Sequence, residues 1–220
     1  MNQWQGKKWY AYGTSMTDNV SLINGINCGN YSKYLAKYAG LEEHNFGKGG
    51  SGIIPKFHGD DNIKSRCMRL DDGKAEADLI TIEVIPNDAK GELGEVTDLS
   101  DDTFCGNLNQ IIEYLHTNTN AVVVILIASR SRYKHDDSSQ KFLPTSEFIA
   151  KRMLWENAVE TICKMHGIPC FNGAAEAGLG YYRMAKDNTL VQDQIHLTDK
   201  GGEILGKYYW GKLQSVYPID

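Results

Sequence analysis

Three residues far apart in the sequence have the side chains needed to hydrolyse an ester. Ser15 lies in a Gly-Thr-Ser turn near the start of the chain, and His196 lies near its end, three residues after Asp193. A serine hydroxyl is a weak nucleophile unless a base lies within hydrogen-bond reach, and a neutral imidazole can accept its proton near pH 7. The imidazole needs a partner that fixes its tautomer, and Asp193 can supply one from the same loop. These residues predict a Ser15–His196–Asp193 triad.

Two further segments offer hydrogen-bond donors for the oxyanion that forms when a serine attacks an ester. One is the glycine-rich run at residues 47–52, and the other contains Asn87. A backbone N–H in the glycine run, the Asn87 amide and the N–H of Ser15 could serve together. Glycine suits this role because no Cβ blocks the approach of a ligand to the backbone. Taken alone, each segment is typical of an ordinary turn.

The hydrophobic pattern predicts the scaffold that would bring these segments together. Helix-like stretches alternate with strand-like runs, which we place at 9–12, 43–46, 77–84, 121–128 and 168–171. Such alternation indicates an α/β sheet, and the continuous apolar run at 121–128 indicates a central parallel strand covered on both faces. We predict a three-layer α/β/α sandwich with a five-stranded parallel, flavodoxin-like sheet and right-handed crossovers.

Each candidate segment follows a predicted strand or precedes the last helix. In an open parallel sheet, the loops that bind ligands lie at the carboxyl ends of the strands. We therefore expect the four segments to converge at one edge of the sheet. Arg130 and Arg132 follow the fourth strand at the same edge, and we interpret them as solvated loop residues rather than as part of the site.

Size and composition narrow the class of protein. The 220 residues fit one domain, which we place at 1–220, and 41% hydrophobic with 23% charged residues is ordinary for a globular protein. A net charge of -5 without any Lys/Arg run argues against a nucleic-acid partner. No apolar run approaches the length of a membrane span, and residues 1–8 lack the apolar core of a signal peptide. We expect a cytoplasmic protein that acts on a small-molecule ester, and leave its oligomeric state open.

The cysteines and the other histidines predict neither a metal site nor a cofactor. The five cysteines are odd in number and contain no C-x-x-C pair, so we interpret them as buried or inert thiols. Five histidines show no metal-ligand spacing, and we interpret them as surface or structural residues: His44, His58, His116, His135 and His166.

The four segments together resemble the sequence blocks of the SGNH, or GDSL-like, hydrolases. That family carries G-D-S, N-x-G-x-x-G, G-x-N-D and D-x-x-H in this order. This chain has GTS at 13–15, NFGKGG at 45–50, IPND at 85–88 and DQIH at 193–196. The resemblance extends over nearly the whole chain. It implies the SGNH hydrolase fold and an acyl-enzyme esterase with Ser15, Asp193 and His196 as the triad. It also implies Ser15, Gly50 and Asn87 as the oxyanion donors.

Two positions depart from the family pattern. Thr14 stands where the family has aspartate, and we expect only a local effect there. Ile85 stands where the family has glycine. Its side chain could line the acyl pocket or enter the sheet core, and we favour the pocket.

Other functions remain open. The resemblance covers several ester classes, and we favour a small acyl group, such as acetyl on a carbohydrate, because no lid-like apolar insertion is visible. The alternative is an inactive SGNH-fold protein that binds carbohydrate or another ligand. A flavodoxin-like anion binder would need phosphate-loop patterns that are missing, and an α/β-hydrolase would need a G-x-S-x-G elbow.

Overall fold

Seven strands are present in the part of the chain that the structure describes. The structure is a computed structural model that describes residues 2–20, 22–23, 25–27, 30–69, 73–85, 87–88, 91–128, 146–187, 189–193 and 195–218. In chain order the strands are β1 (Lys8–Gly13), β2 (Leu22–Ile23), β3 (Ile26–Asn27), β4 (Glu42–Gly47), β5 (Leu79–Val84), β6 (Val122–Ile127) and β7 (Cys170–Asn172). Strands β2 and β3 form a separate antiparallel pair.

The other five strands form one parallel sheet in the order β4-β1-β5-β6-β7. Numbered along the chain, this is the 2-1-3-4-5 order of flavodoxin-like folds. Every residue of the central strands β5 and β6 is buried, whereas the edge strand β4 is only partly covered. The predicted five-stranded parallel α/β sheet is therefore confirmed, with each strand within two residues of its expected ends.

Helices cover both faces of this sheet. They are α1 (Asn30–Ala39), α2 (Pro55–His58), α3 (Ile63–Cys67), α4 (Phe104–Asn118), α5 (Ser146–His166), α6 (Gly173–Glu176), α7 (Tyr181–Lys186) and α8 (Asp199–Leu213), with a 3₁₀ turn at Lys74–Glu76. Helices α1 and α8 pack against each other, and α4 packs against α3 and α5. No helix in the described residues is long and apolar enough to cross a membrane.

Two hydrophobic clusters fill the space between the layers. Alternation along β1 sends Trp9 and Ala11 into the cluster under α1 and α8, and Tyr10 and Tyr12 into the cluster under α4 and α5. This alternation explains how one short strand supports both layers of a sandwich. The four described cysteines are free thiols, and three of them are buried. Arg130 and Arg132 lie outside the described residues.

The short elements were not predicted from the sequence. The β2–β3 pair and helices α2, α3, α6 and α7 comprise two to six residues each. Such lengths carry too few positions for a hydrophobic period to be recognised. Helix α2 follows the glycine-rich run that the sequence analysis singled out.

Candidate active site

The turn that carries the candidate nucleophile, Ser15, begins where β1 ends. The Thr14 carbonyl accepts hydrogen bonds from the N–H groups of Thr17 and Asp18, so the chain makes one tight turn with Ser15 near its tip. A Cβ on Gly13 would lie 2.2 Å from Thr17 Oγ1 and 2.8 Å from Glu83 Oε2, which explains the glycine at this position. The turn is also tied to β4, because the Asn45 amide donates to the Thr17 carbonyl at 2.8 Å.

The structure brings the three predicted triad residues into one hydrogen-bonded line. His196 Nε2 lies 2.8 Å from Ser15 Oγ, and His196 Nδ1 lies 2.7 Å from Asp193 Oδ2. A carboxylate can only accept hydrogen bonds, so Nδ1 carries the proton and Nε2 is left to accept from the serine hydroxyl. This is the tautomer that a general base for Ser15 requires.

The Asp193 loop holds this geometry through its own backbone. Asp193 Oδ1 accepts hydrogen bonds from the N–H groups of Ile195 at 3.1 Å and His196 at 2.7 Å. Partial burial works to raise the pKa of Asp193, but the hydrogen bonds from His196 and Ile195 outweigh it and the pKa falls below its ordinary value. The carboxylate is therefore charged at neutral pH. Thr198 then caps α8 by accepting from the Gly201 N–H.

Besides Ser15 itself, the predicted oxyanion donors Gly50 and Asn87 lie on two loops that a hydrogen bond joins. Gly50 is exposed at φ +72, a conformation that favours glycine. Within the described residues, the N–H groups of Ser15 and Gly50 donate to no acceptor. The Asn87 amide donates one hydrogen bond to the Ser51 carbonyl at 2.7 Å. Because an amide nitrogen carries two protons, this bond fixes the Asn87 side chain and leaves the other proton for an oxyanion.

A buried carboxyl group contacts the turn that carries Ser15. Glu83, on β5, is fully buried, and its Oε2 accepts hydrogen bonds from the Thr14 N–H at 2.8 Å and the Thr14 hydroxyl at 2.7 Å. An aspartate at position 14 would place a second carboxyl against Glu83, whereas the threonine hydroxyl donates to it. The departure from the family pattern at Thr14 thus has a local cause. Sequence reasoning missed Glu83, although a lone acid in a buried apolar strand is a usable signal.

Glu83 makes stability depend on pH. Burial raises the pKa of Glu83 to about 7, against the opposing effects of the Thr14 hydrogen bonds and the Arg152 charge. The folded state then binds more protons than the unfolded state between about pH 4.5 and 7, so this stabilisation is complete below that window and is lost as pH rises through it.

In Glu83→Gln this pH-dependent loss of stability should be absent. In urea unfolding, the free energy of unfolding of the variant relative to that of the wild type should rise by on the order of 3 kcal/mol between pH 5 and pH 8. Parallel pH profiles would contradict the shift.

A buried arginine links the loops from below. Arg66, on α3, donates to the Gly13 carbonyl and the Ser51 hydroxyl, each at 3.1 Å, and to the Phe46 carbonyl at 3.1 Å. It therefore joins the ends of β1 and β4 to the glycine-rich run. Sequence reasoning missed Arg66 because α3 is too short to be recognised and nothing in the local sequence indicates burial.

The structure corrects the interpretation of Ile85. Its side chain is 1% exposed and belongs to the hydrophobic cluster that contains Val84, Ile53 and Ile54, so the favoured pocket position is wrong and the core alternative is correct. Its backbone has φ 92, which a β-branched residue rarely adopts. The family's glycine would meet this conformation without strain, whereas here burial of the isoleucine offsets the strain.

The backbone at Ile85 predicts an unusual order of stability. Ile85→Ala loses the buried side chain, at a cost of about 2 to 5 kcal/mol, and keeps the strained φ. Ile85→Gly loses slightly more burial but relieves about 1 kcal/mol of strain. We expect the glycine variant to be at least as stable as the alanine variant in urea unfolding, the reverse of the order in a regular strand. A clearly more stable alanine variant would show that the left-handed backbone costs nothing.

Comparison with known proteins shows the fold. No protein-family model matches the sequence, and no curated protein matches it. Among solved structures, a Lactobacillus plantarum protein from a structural genomics consortium has a TM-score of 0.78 at 22% identity, covering 97% of this chain and 99% of its own. An acetylxylan esterase from Geobacillus stearothermophilus has a TM-score of 0.62 at 15% identity, covering 97% and 96%.

A third solved structure connects this fold to the sequence blocks. A Desulfitobacterium hafniense protein assigned to the G-D-S-L lipolytic family has a TM-score of 0.59 at 16% identity, covering 94% of this chain and 99% of its own. All these identities are low, so the likeness is one of backbone architecture over nearly the full length of each chain. This chain therefore has the fold of the SGNH, or GDSL-like, hydrolases.

Proposed function

We propose that this chain is a serine esterase that hydrolyses a small carboxylic ester through an acyl-enzyme on Ser15. The observation that carries the proposal is the line of hydrogen bonds from Ser15 Oγ through His196 to Asp193, at 2.8 and 2.7 Å. All three side chains are partly exposed, so water could satisfy each group without this line. The line does match what a serine nucleophile needs.

In the first half of the reaction, Ser15 Oγ attacks the ester carbonyl carbon while His196 Nε2 takes the hydroxyl proton. The resulting oxyanion accepts hydrogen bonds from the N–H groups of Ser15 and Gly50 and from the free amide proton of Asn87. The charged Asp193 stabilises the imidazolium that forms. His196 then returns the proton to the alkoxide as the ester C–O bond breaks, so that an alcohol leaves and the acyl group stays on Ser15.

In the second half, a water molecule replaces the alcohol. His196 Nε2 accepts a proton from this water as the water oxygen attacks the acyl carbon, and the same three donors hold the second oxyanion. Collapse of this intermediate breaks the bond to Ser15 Oγ, which regains its proton from His196. The products are the alcohol and the carboxylic acid, and the enzyme is unchanged.

For the substrate we propose an acetyl ester, such as an acetyl group on a carbohydrate. Support comes from the acetylxylan esterase among the solved structures of the same fold. The expected result is hydrolysis of p-nitrophenyl acetate faster than of the butyrate and octanoate esters, and release of acetate from acetylated xylooligosaccharides. A pocket that fits only an acetyl group excludes longer acyl chains sterically, so the rate should fall with chain length. A pocket that buried the longer chains would instead add about 0.8 kcal/mol of binding per methylene and reverse this order.

The same panel separates the alternatives. Faster turnover of octanoate than of acetate would replace the acetyl proposal with a lipid-like substrate. Binding of the xylooligosaccharides without hydrolysis of any ester in the panel would favour the inactive carbohydrate-binding protein instead. Ser15→Ala, measured in parallel, shows how much of any turnover comes from a contaminating esterase.

A further inference from the structure

His58 lies between the two loops that carry the oxyanion donors. It is the last residue of α2, which follows the glycine-rich run directly, and its side chain is only 8% exposed. The sequence predicted a surface or structural histidine here, and the low exposure fits the structural alternative. The ring faces the Gly50 carbonyl on one side and the Asp88 carboxylate on the other.

The first contact is with the peptide that follows Gly50. A Cβ built on Gly50 would meet nothing within 4 Å, so the space on that side of the residue is open. His58 Nδ1 lies 3.1 Å from the Gly50 carbonyl oxygen, and the Ser51 N–H donates to the Lys48 carbonyl at 3.2 Å. Both polar groups of the peptide between Gly50 and Ser51 are thereby held, while the Gly50 N–H stays free.

The second contact connects His58 to the turn that carries Asn87. His58 Nε2 lies 3.4 Å from Asp88 Oδ1, a close polar contact without the geometry of a hydrogen bond. The same oxygen accepts hydrogen bonds from the Ile53 N–H at 2.8 Å and the Ile54 N–H at 3.1 Å, and Asp88 is fully buried. The two ring nitrogens of His58 thus face two different acceptors, the Gly50 carbonyl and the Asp88 carboxylate.

The chain leaves room for this arrangement at Gly52. A Cβ on Gly52 would lie 2.2 Å from His58 Nε2 and 2.6 Å from Asp88 Oδ1. Any other residue at this position would push the imidazole away from the carboxylate. Gly52 thus provides a way to disturb the contact without changing His58 itself.

We propose that His58 is a positioning residue of the oxyanion hole. The His58 bridge, formed by the Gly50 carbonyl, the His58 ring and Asp88 Oδ1, holds the Gly50 N–H at a constant distance from the Asn87 turn. The inference rests on the proposed function, because it concerns the donors of that reaction. A donor stabilises an oxyanion in full only when it is already oriented, so loss of the bridge lowers kcat and leaves KM nearly unchanged.

Two amide substitutions separate the arms of the bridge. His58→Asn places an amide nitrogen near the position of Nδ1 and can still donate to the Gly50 carbonyl. His58→Gln places its amide nitrogen near the position of Nε2 and can reach only Asp88. Both are polar and close in size to histidine, and their melting temperatures report any general loss of stability. His116→Gln, at the end of α4 before β6 begins, is the matched control.

Steady-state kinetics on p-nitrophenyl acetate provide the first measurement. We expect His58→Gln to lower kcat about tenfold, a fraction of the 10²- to 10³-fold loss that follows removal of a whole donor. His58→Asn should lower kcat less than His58→Gln, because it keeps the donor to the Gly50 carbonyl and loses only the arm to Asp88. Gly52→Ala should also lower kcat, because its Cβ would lie 2.2 Å from His58 Nε2 and would displace the ring from both acceptors. The variant with both Gly52→Ala and His58→Gln should lose no more than Gly52→Ala alone, because that substitution already breaks the bridge.

Amide NMR of the free protein provides a second measurement that needs no turnover. The heteronuclear NOE of the Gly50 N–H should fall in His58→Gln, fall less in His58→Asn, and stay at the wild-type value in His116→Gln. An unchanged Gly50 NOE in His58→Gln, or multiplying losses of kcat in the double variant, would overturn the His58 bridge. A wild-type chain that hydrolyses no ester but shows the expected NOE change would overturn the esterase proposal and keep the bridge.

Discussion

Ser15→Ala is expected to lower kcat for p-nitrophenyl acetate by about 10⁴- to 10⁶-fold, the range found when a triad nucleophile is removed. Ser15 Oγ is the atom that lies 2.8 Å from the proposed base, His196 Nε2. Because nucleophile and base act as a unit, His196→Ala should lose about as much, and the double variant little more than either. Multiplying losses would show that the two residues act separately.

A covalent probe tests the same residue without a substrate. A fluorophosphonate should phosphonylate Ser15 Oγ with loss of fluoride, and peptide mass mapping should find the added mass on the peptide that contains Ser15. Ser215→Ala is the matched control, since this exposed hydroxyl donates only to the Lys212 carbonyl and should not affect labelling. If the probe labelled another residue of the active protein, that residue and not Ser15 would be the nucleophile.

Asp193→Asn is expected to lower kcat about 10⁴-fold while the fold stays intact. The asparagine oxygen can still accept from the backbone N–H groups of Ile195 and His196, which bond Asp193 Oδ1 at 3.1 and 2.7 Å. Its amide nitrogen, however, faces His196 Nδ1 and donates to it. The ring proton then moves to Nε2, and His196 can no longer accept the proton of Ser15.

An aspartate on the same segment is the control for this substitution. Asp187 accepts from the Thr189 N–H at 3.0 Å and is part of no contact with the triad, so Asp187→Asn should leave kcat unchanged. Asp193→Asn should unfold at nearly the wild-type urea concentration, because both backbone hydrogen bonds persist. Near-normal kcat in Asp193→Asn would assign the orientation of His196 to another residue.

Much of the fold could be predicted from local patterns. The apolar run at 121–128 predicts β6 because a strand buried on both faces has no polar side, and β6 is buried throughout. Alternating strand and helix periods then leave few topologies, since crossovers between parallel strands are right-handed. The positions of Ser15, Asn87 and His196 after strands or before a helix followed from that topology.

The supporting residues could not be predicted in this way. Glu83, Arg66 and His58 act through contacts with residues 8 to 69 positions away in the chain. A lone histidine or arginine in a polar segment has the same local sequence whether it is exposed or buried. Its role depends on which carbonyl or carboxylate lies beside it in the folded chain. The spacing of residues in the sequence cannot predict that contact.

At Ile85, part of the result follows from the sequence and part only from the tertiary structure. The sequence alone determined that a glycine position was occupied by isoleucine beside the candidate oxyanion turn, and the four blocks determined which residues could form a triad. Only the tertiary structure decided that the isoleucine enters the core at φ 92 rather than the acyl pocket. The physical reason is that side-chain direction at the end of a strand depends on the turn that follows. The Asp88 N–H donates to the Ile85 carbonyl and the Asp88 side chain holds the Ile53 and Ile54 N–H groups, contacts that form only when the loops meet.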